Sequence, residues 1–253
     1  NHFNNCSRPR HQYVDYIVAD CKDIYSTYLK DKSFDYIFHL GEYARVEQSF
    51  DDFEKVIDYN LNSFPVMLQF AKDKGAKFIY SGSSTKFAVG EEGRAQSPYA
   101  YTKAQNTELL QNYASWYGLD YTIVYFYNVY GPGENGIGRF ATVVEKFLQL
   151  TKDGAQTLPV TSPGTQLRNF THIDDIISGL IRAGIQGNGD GYGIGCDDKY
   201  SILDLVNMLG CTADMMPEKA GNRMDGILKT DKLKSLGWSA ENNLKTYIKG
   251  ELK

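Results

Sequence analysis

Tyr99 and Lys103 are the residues whose types and spacing most directly suggest chemistry, since they stand four positions apart just after Pro98. In a helix this spacing places both side chains on one face. The lysine ammonium would then favour the phenolate form of the tyrosine, and the phenol could exchange a proton with a bound hydroxyl near neutral pH. Amphipathic helices also carry such pairs at their surface by chance, so the pair needs support from its surroundings.

A cluster of hydroxyl side chains supplies part of that support. The apolar run Lys77-Phe78-Ile79-Tyr80 leads directly into Ser81-Gly82-Ser83-Ser84-Thr85. If the run is a strand, the hydroxyls lie at its carboxyl end, where open α/β sheets place their ligands. A purely structural turn would also explain serine and glycine here.

The elements that must position these residues alternate along the first 150 residues. Short apolar runs rich in β-branched and aromatic residues are separated by stretches of helical period, which is the pattern of a parallel sheet with crossover helices. The predicted strands are Tyr16–Val18, Tyr36–Leu40, Lys77–Ser81 and Tyr121–Phe126. The predicted helices are Phe53–Lys74 and Ala100–Tyr117, the second ended by Gly118. The fold class is therefore α/β with a doubly wound parallel sheet.

Beyond residue 130 this alternation weakens, and Gly/Pro-rich segments separate shorter helices. These helices are predicted at 139–150, 174–183, 202–209 and 231–236, with Asp174 or Asp175 as the cap of the second. The pattern indicates a smaller, loop-rich C-terminal lobe packed against the sheet.

Bulk properties exclude several classes of function. The 253 residues carry a net charge of -4, with 42% hydrophobic and 23% charged residues, so nothing attracts the chain as a whole to nucleic acid or to an anionic membrane. The four cysteines lack metal-ligand spacing. No apolar run is long enough to span a bilayer, and no signal peptide is evident. We expect a soluble cytoplasmic protein without a metal site.

Eight segments in register resemble the extended short-chain dehydrogenases, the group that includes NAD-dependent nucleotide-sugar epimerases and dehydratases. They cover almost the whole chain in the right order, and together they carry more weight than any one alone. The matching segments are Ala19-Asp20, Phe38-His39-Leu40-Gly41, Asn60, Ser81-Gly82-Ser83, Tyr99 with Lys103, Asn128-Val129-Tyr130-Gly131-Pro132, Arg168-Asn169-Phe170-Thr171-His172-Ile173-Asp174-Asp175 and Leu236-Gly237-Trp238.

The resemblance implies a Rossmann-like fold, and it implies that one unit of this fold is missing. Dinucleotide folds of this class begin with a strand and a glycine-rich turn. No such turn precedes Tyr16. We therefore expect the first βαβ unit to be absent from this sequence. Residues 1–158 would form the N-terminally incomplete dinucleotide-binding domain, and residues 159–253 mainly the nucleotide-sugar-binding lobe, with the two interleaved.

The resemblance also implies a set of NAD-binding residues. Asp20 and its neighbour Cys21 would reach the adenine, while Leu40 and Gly41 would line the pyrophosphate and ribose. The remaining expected contacts, on the nicotinamide side, are Asn60, Ser81, Tyr99, Lys103 and Phe126.

For catalysis, the resemblance implies that Ser83 hydrogen-bonds the reacting hydroxyl, with Ser84 as the alternative, and that Tyr99 is the acid/base while hydride passes between sugar and nicotinamide. The expected substrate contacts are Ser83, Ser84, Asn128, Gln166, Arg168, Arg223 and Asp225. The arginines suit a diphosphate. A turn would equally explain Asn128, and a solvated charge would explain a lone arginine. His39 and His172 are interpreted as structural.

Two positions depart from the family pattern. The interval between Ser83 and Tyr99 is short, and Tyr125 stands where many relatives carry arginine.

Relatives that eliminate water have an Asp-Glu pair where this chain has Ser84-Thr85-Lys86, and the glutamate of related decarboxylases is missing too. The expected activity is therefore a nucleotide-sugar 4-epimerase, which oxidises C4 and returns the hydride to the opposite face.

Several alternatives stay open. A 4-dehydrogenase or ketoreductase uses the same Ser/Tyr/Lys set, a 4,6-dehydratase is less favoured, and a non-catalytic nucleotide-sugar-binding domain belongs to another class. Relatives commonly form homodimers through helices equivalent to the two longest predicted here. Five apolar residues are candidates for that face, or else simply cover the sheet: Phe64, Met67, Leu68, Leu109 and Tyr113.

Overall fold

The computed structural model describes residues 11–84, 96–218 and 224–253. The strands within these ranges are β1 (Tyr36–His39), β2 (Lys77–Ser83), β3 (Tyr121–Phe126), β4 (Val129–Tyr130), β5 (Thr157–Thr161), β6 (Leu167–Arg168), β7 (Thr171–His172), β8 (Gly189–Ile194), β9 (Tyr200–Ser201) and β10 (Thr212–Met216). The main sheet runs β1-β2-β3-β8 and is parallel throughout. The predicted α/β class with a parallel sheet is confirmed, and three of its strands lie where the apolar runs predicted them.

Three small pairs of strands accompany the main sheet in the described ranges. β5 pairs with β10 and β4 with β7, both parallel, whereas β6 pairs with β9 antiparallel. These pairs lie in the second half of the chain, where the regular alternation of the sequence weakens.

The helices surround this framework. Within the described ranges they are α1 (Phe53–Val56), α2 (Phe64–Lys74), α3 (Pro98–Tyr117), α4 (Val143–Lys152), α5 (Ile173–Gln186), α6 (Ile202–Met208), α7 (Asp231–Lys234) and α8 (Leu244–Glu251), with short 3-10 turns at Cys21–Ser26, Tyr28–Asp31 and Glu47–Ser49. Gly118 ends α3 in the left-handed conformation at φ 72°, as predicted. None of these helices combines the length and apolarity needed to cross a membrane.

The helical stretch predicted over Phe53–Lys74 is present, but a π-helical segment at Ile57–Asn62 separates α1 from α2. The wider turn frees backbone carbonyls from the α-helical pattern. The carbonyl of Asn60 accepts a hydrogen bond from the Asn106 side chain of α3 at 2.8 Å. The interruption therefore ties this segment to the neighbouring helix.

The predicted strand Tyr16–Val18 is also wrong. These residues adopt no regular structure and are exposed, Val18 to 91%. An apolar run becomes a strand only where a neighbouring strand completes its hydrogen bonds, and no strand of the described residues lies beside this one.

Each face of the main sheet has its own core. Phe78 and Tyr80 point to the face covered by α2 and α3, whereas Ile79 between them points to the face covered by α5 and α7. The apolar residues offered above as a dimer face belong to the first of these cores, which confirms the alternative that they cover the sheet: Phe64, Met67, Leu68, Leu109 and Tyr113.

A third core joins elements of the second half of the chain. Phe147 of α4, Leu158 of β5, Leu205 of α6 and Leu244 of α8 are all buried there. β5 spans the boundary predicted between residues 158 and 159, and β8 from the later range completes the main sheet. The division into two interleaved lobes stays a prediction.

One edge of the molecule remains apolar and exposed. β1 is the edge strand of the described sheet, and its Tyr36 and Phe38 are 42% and 40% exposed. On α5, Ile177, Ile181 and Ile185 recur every four residues and are exposed as well. We call these five residues the β1–α5 apolar surface.

Candidate functional site

The hydroxyl cluster lies at the carboxyl end of β2. Ser81 and Ser83 are buried and, by strand alternation, share a face of β2. Between them Gly82 is required by packing, because a Cβ there would lie 2.6 Å from Cε1 of Tyr125. Ser83 pairs in register with Phe126 of β3, so these two predicted site residues stand side by side at the sheet end.

Helix α3 brings Lys103 to this end of the sheet. The helix begins after Ser97, whose side chain caps it by accepting from the Ala100 amide at 3.1 Å. One turn into the helix, the buried Lys103 ammonium donates to the carbonyl of Ser81 at 2.7 Å. The predicted serine segment and the predicted lysine are therefore adjacent.

Glu42, which the sequence analysis missed, binds Lys103 directly. Its Oε2 lies 2.5 Å from Lys103 Nζ, and the two side chains are 1% and 5% exposed. Tyr80 donates to Oε2 at 3.1 Å, Asn106 donates to Oε1 at 2.8 Å, and His39 Nε2 is 3.4 Å from Oε1. Burial alone would raise the pKa of Glu42, but Lys103 and His39 hold it below its usual range.

The Tyr99 phenol borders the same group of residues. It is close enough to influence both Tyr80 and Arg45 electrostatically, and the Lys103 ammonium lies 4.9 Å from the centre of the Tyr80 ring. Burial, with Glu42 as the next cause, raises the pKa of Tyr80 well above its usual value. Tyr99 and Lys103 thus both neighbour Tyr80.

The residues expected to bind the cofactor are distributed around this centre. Leu40 and Gly41 are exposed just beyond β1, and among the described residues other than the two chain neighbours no atom lies within 4 Å of the place that a Gly41 Cβ would take. Asp20 caps a 3-10 turn by accepting from the Lys22 amide at 2.9 Å. Cys21 is half-buried beside it.

The side chain of Asn60 is hydrogen-bonded to its neighbours on both sides. Its side chain accepts from the Tyr43 amide at 2.7 Å and donates to the Thr102 hydroxyl at 2.9 Å, and Asn60 is completely buried. The structure therefore gives Asn60 a role in fixing the start of α3 next to the catalytic candidates. Its expected contact with the nicotinamide side stays a prediction.

A separate cleft brings together two of the predicted substrate-binding residues. Gln166 and Arg168 line a cavity of about 370 Å³, together with Arg139 and Lys146, two cations outside the predicted set. Gln166 is 3% exposed, and its Oε1 has no hydrogen-bond partner among the described residues. Glu47 also lines the cavity, and Arg139 is ion-paired with two neighbouring aspartates. The buried amide oxygen, Arg168 and Lys146 are therefore the groups that suit a polar, anionic ligand.

Asn128 follows β3 in a conformation that only glycine adopts freely, with φ 29°. Its carbonyl accepts from the Thr171 amide at 3.1 Å. Gly131 follows with φ 140°, and a Cβ there would lie 2.6 Å from Ile173. Strained backbone often marks ligand sites, but this geometry also serves the turn itself.

The remaining predicted substrate residues lie elsewhere. Asp225 is exposed and binds the Lys199 ammonium at 2.8 Å. Asp225 does not line the cleft. Its neighbour Met224 lies next to the cleft strand, since the Met224 carbonyl accepts a hydrogen bond from the Leu167 amide at 2.8 Å. Arg223 lies outside the described residues. Ser84 is half-buried next to Ser83.

Glu134 is a second carboxyl that sequence analysis missed. It lies in the loop after Gly131, and its Oε2 is enclosed without a hydrogen-bond partner in the described ranges. Burial raises the pKa of Glu134 to about 7, a shift that hydrogen bonding to Thr142 and the charge of Arg45 only partly oppose. Arg45 interacts electrostatically with both Glu134 and Tyr99.

The two histidines have structural contacts. His39 stacks on Phe78 with ring centroids 5.7 Å apart, next to Glu42. His172 is the cap of α5, since its Nδ1 accepts from the Asp174 amide at 3.3 Å. The prediction that Asp174 or Asp175 caps this helix was therefore wrong; Asp175 instead accepts from the backbone amides of residues 241 and 242.

Comparison with known proteins agrees with this arrangement. The family model described as Epimerase, NAD dependent epimerase/dehydratase family, matches residues 3–195. UDP-glucuronate 4-epimerase of Thermodesulfobacterium geofontis is 30% identical over 169 residues, which is 63% of this chain and 50% of that protein. dTDP-D-glucose 4,6-dehydratase of Dictyostelium discoideum is 26% identical over 76% of this chain and 48% of its own length.

Solved structures show the same fold. UDP-glucose 4-epimerase with UDP-glucose from Thermotoga maritima superimposes with a TM-score of 0.78 at 25% identity, covering 90% of this chain and 78% of that one. The chain spans about half the length of the curated relatives it matches.

Proposed function

The chain belongs to the NAD dependent epimerase/dehydratase family, and from this premise we propose that it acts as a nucleotide-sugar 4-epimerase. One observation carries the proposal. Lys103 is buried against the carbonyl of Ser81 at the carboxyl end of β2, and α3 carries Tyr99 one turn earlier. This is the place where an open α/β sheet binds its ligands.

The residues present suit NAD as the expected cofactor. Leu40 and Gly41 lie exposed at the end of β1 with open space beside Gly41, and Lys103 donates nearby. When bound, NAD supplies the hydride acceptor and donor. The expected contacts of Asp20, Cys21, Asn60, Ser81 and Phe126 are part of this proposal.

In the proposed reaction Ser83 hydrogen-bonds the hydroxyl on the sugar C4, and Tyr99 removes its proton as C4 is oxidised. The Lys103 ammonium, paired with Glu42, is held at the end of β2 one turn of α3 from Tyr99. After the keto sugar has turned in the pocket, Tyr99 returns the proton while C4 is reduced on its other face. Ser84 can replace Ser83 as the hydrogen-bonding hydroxyl.

The substrate class is supported by the cleft. Arg168 and Lys146 can bind a diphosphate, and Gln166 offers an unpaired amide oxygen to a hydroxyl or a base N–H. Asn128, Arg223 and Asp225 complete the proposed contacts. Two of the three relatives named above are a UDP-glucuronate 4-epimerase and a UDP-glucose 4-epimerase with UDP-glucose, and the third is a dTDP-D-glucose 4,6-dehydratase. We take a UDP-sugar as the first candidate.

Glu134 supports one second candidate, a 4,6-dehydratase. Elimination of water needs a group that holds and releases a proton, and a carboxyl whose pKa is raised to about 7 can do both. The stretch Ser84-Thr85-Lys86, where water-eliminating relatives carry an Asp-Glu pair, supplies no carboxylate, so epimerisation remains the better supported reaction.

A panel of UDP-, GDP-, dTDP- and CDP-sugars with catalytic NAD tests the proposal. NMR of the products should show a C4 epimer without accumulation of NADH. Net NADH formation would identify a dehydrogenase, and a 4-keto-6-deoxy product a dehydratase. A chain that binds the sugars without any turnover would be a binding domain. The homodimer expected from the family resemblance is tested by sedimentation of the same preparation.

A further inference from the structure

Glu42 is an enclosed carboxylate that the proposed reaction does not use. Its side chain is 1% exposed and lies 2.5 Å from the Lys103 ammonium, itself 5% exposed. Ion pairs at the protein surface are common and contribute little. A buried pair is different, because removing one partner leaves the other charge without water or a counter-ion.

The contacts of Glu42 come from two further elements of the fold. Tyr80 of β2 donates to Oε2, and Asn106 of α3 donates to Oε1. The carboxylate is thereby fixed in one orientation, and the ammonium is fixed between it and the carbonyl of Ser81. That carbonyl offers Lys103 a dipole, whereas Glu42 offers it a charge at contact distance.

We infer that Glu42 is a positioning residue that keeps the Lys103 ammonium charged and directed at the end of β2. The inference depends on the proposed function for the catalytic part of its role. Its physical basis is that a buried ammonium without a counter-charge gives up its proton more readily. Glu42 would thus decide how far into the alkaline range the site stays active.

Other titratable groups face this pair and must be controlled. His39 Nε2 lies 3.4 Å from Glu42 Oε1. Burial raises the pKa of the Cys21 thiol, and the negative charges of Asp20 and Glu42 raise it further. Tyr99 neighbours Tyr80. A background carrying Cys21→Ala and Tyr99→Phe removes the thiol and the accessible phenol.

The first test measures stability and needs no activity. In the Cys21→Ala/Tyr99→Phe background, the melting temperature of Glu42→Gln is compared with that of the parent from pH 8 to pH 10. A folded variant that holds fewer protons than its unfolded chain gains stability as pH rises. The amount by which Glu42→Gln melts below the parent should therefore become smaller toward pH 10. A deficit that stays constant over this range would overturn the inference, and the exposed Glu54→Gln serves as the control.

If Glu42→Gln does not fold, a double substitution keeps the inference testable. Glu42→Gln combined with Lys103→Met removes both charges, so no buried ion remains unpaired. The double variant should recover folding and melt above Glu42→Gln. Failure to recover would show that Glu42 serves packing alone, which contradicts the inference.

The second test measures turnover against pH with the nucleotide sugar and NAD. Glu42→Gln should lose activity at a pH at least one unit lower on the alkaline side than the native chain. Glu42→Asp keeps the charge. The alkaline limb of its pH profile should return to the native position, even if turnover is slower. Superimposable pH profiles with uniformly lower rates would refute the inference. If the native chain turns over no nucleotide sugar, the proposed function fails. The stability test still decides whether Glu42 keeps the Lys103 ammonium charged.

Discussion

The carboxyl end of β2 and the cleft beside α4 differ in how their charged groups are held. At the end of β2, Lys103 and Glu42 are buried against each other at 2.5 Å. In the cleft, the more exposed Arg139 pairs with Asp51 at 2.9 Å and with Asp52 at 3.1 Å, while the neighbouring Arg168 is only half-buried. The first region is ordered before any ligand arrives, as chemistry requires. The second keeps cations accessible to an anionic ligand.

The largest expected effect separates these two regions. Tyr99→Phe removes the proposed proton carrier, so turnover should fall roughly 100- to 10,000-fold, while KM for the nucleotide sugar changes little. Steady-state kinetics with NAD measures both quantities. Tyr101→Phe, an exposed residue of the same helix, is the matched control and should behave like the native chain. Equal losses in the two variants would remove Tyr99 from the mechanism.

A smaller effect of the opposite kind is expected in the cleft. Arg168→Ala should raise KM by roughly 10- to 100-fold, since a hydrogen bond to a charged group contributes about 1.5–3 kcal/mol. Turnover at saturation should change much less. Lys152→Ala, a cation on α4 that pairs with Glu251 and does not line the cleft, is the control. A fall in kcat without a change in KM would contradict the distinction between the two regions.

The smallest effect concerns Glu134, in the loop between the regions. Its pKa of about 7 exceeds the usual 4.5, so the folded state keeps a proton that the unfolded chain loses. The resulting stability is present below pH 4.5 and is lost as pH rises through 7. Glu134→Gln stays neutral, and its melting temperature should gain on the native chain across that window. Thermal melts at several pH values measure this gain, which the exposed Glu54→Gln should not show.

Local sequence patterns predicted the scaffold of the active site. Lys77–Ser81 and Tyr121–Phe126 became strands because each apolar run has neighbouring strands to complete it. Gly118 ended α3 because its left-handed conformation, φ 72°, suits glycine. Tyr99 and Lys103 were predicted from their spacing together with the serine cluster and the family resemblance, and the structure places Lys103 beside the carbonyl of Ser81.

What sequence could not provide were properties created by distant partners. Glu42 follows Gly41 in a segment that reads as surface, and its burial comes from side chains of β2 and α3. A carboxylate at the carboxyl end of a predicted strand was the signal available. Tyr16–Val18 carries an equally good strand pattern but has no strand beside it. His172 caps α5 because Asp175 is already bound to the backbone at 241 and 242.

The β1–α5 apolar surface has a practical consequence for anyone purifying this chain. Phe38 meets α5 closely, since a Cβ on Gly184 would lie 3.1 Å from its ring, so the exposed aromatics and isoleucines form one continuous patch. Such a patch promotes precipitation and sticking to columns. Dilute handling with a mild detergent, or an aspartate in place of Ile181, should keep the preparation monodisperse.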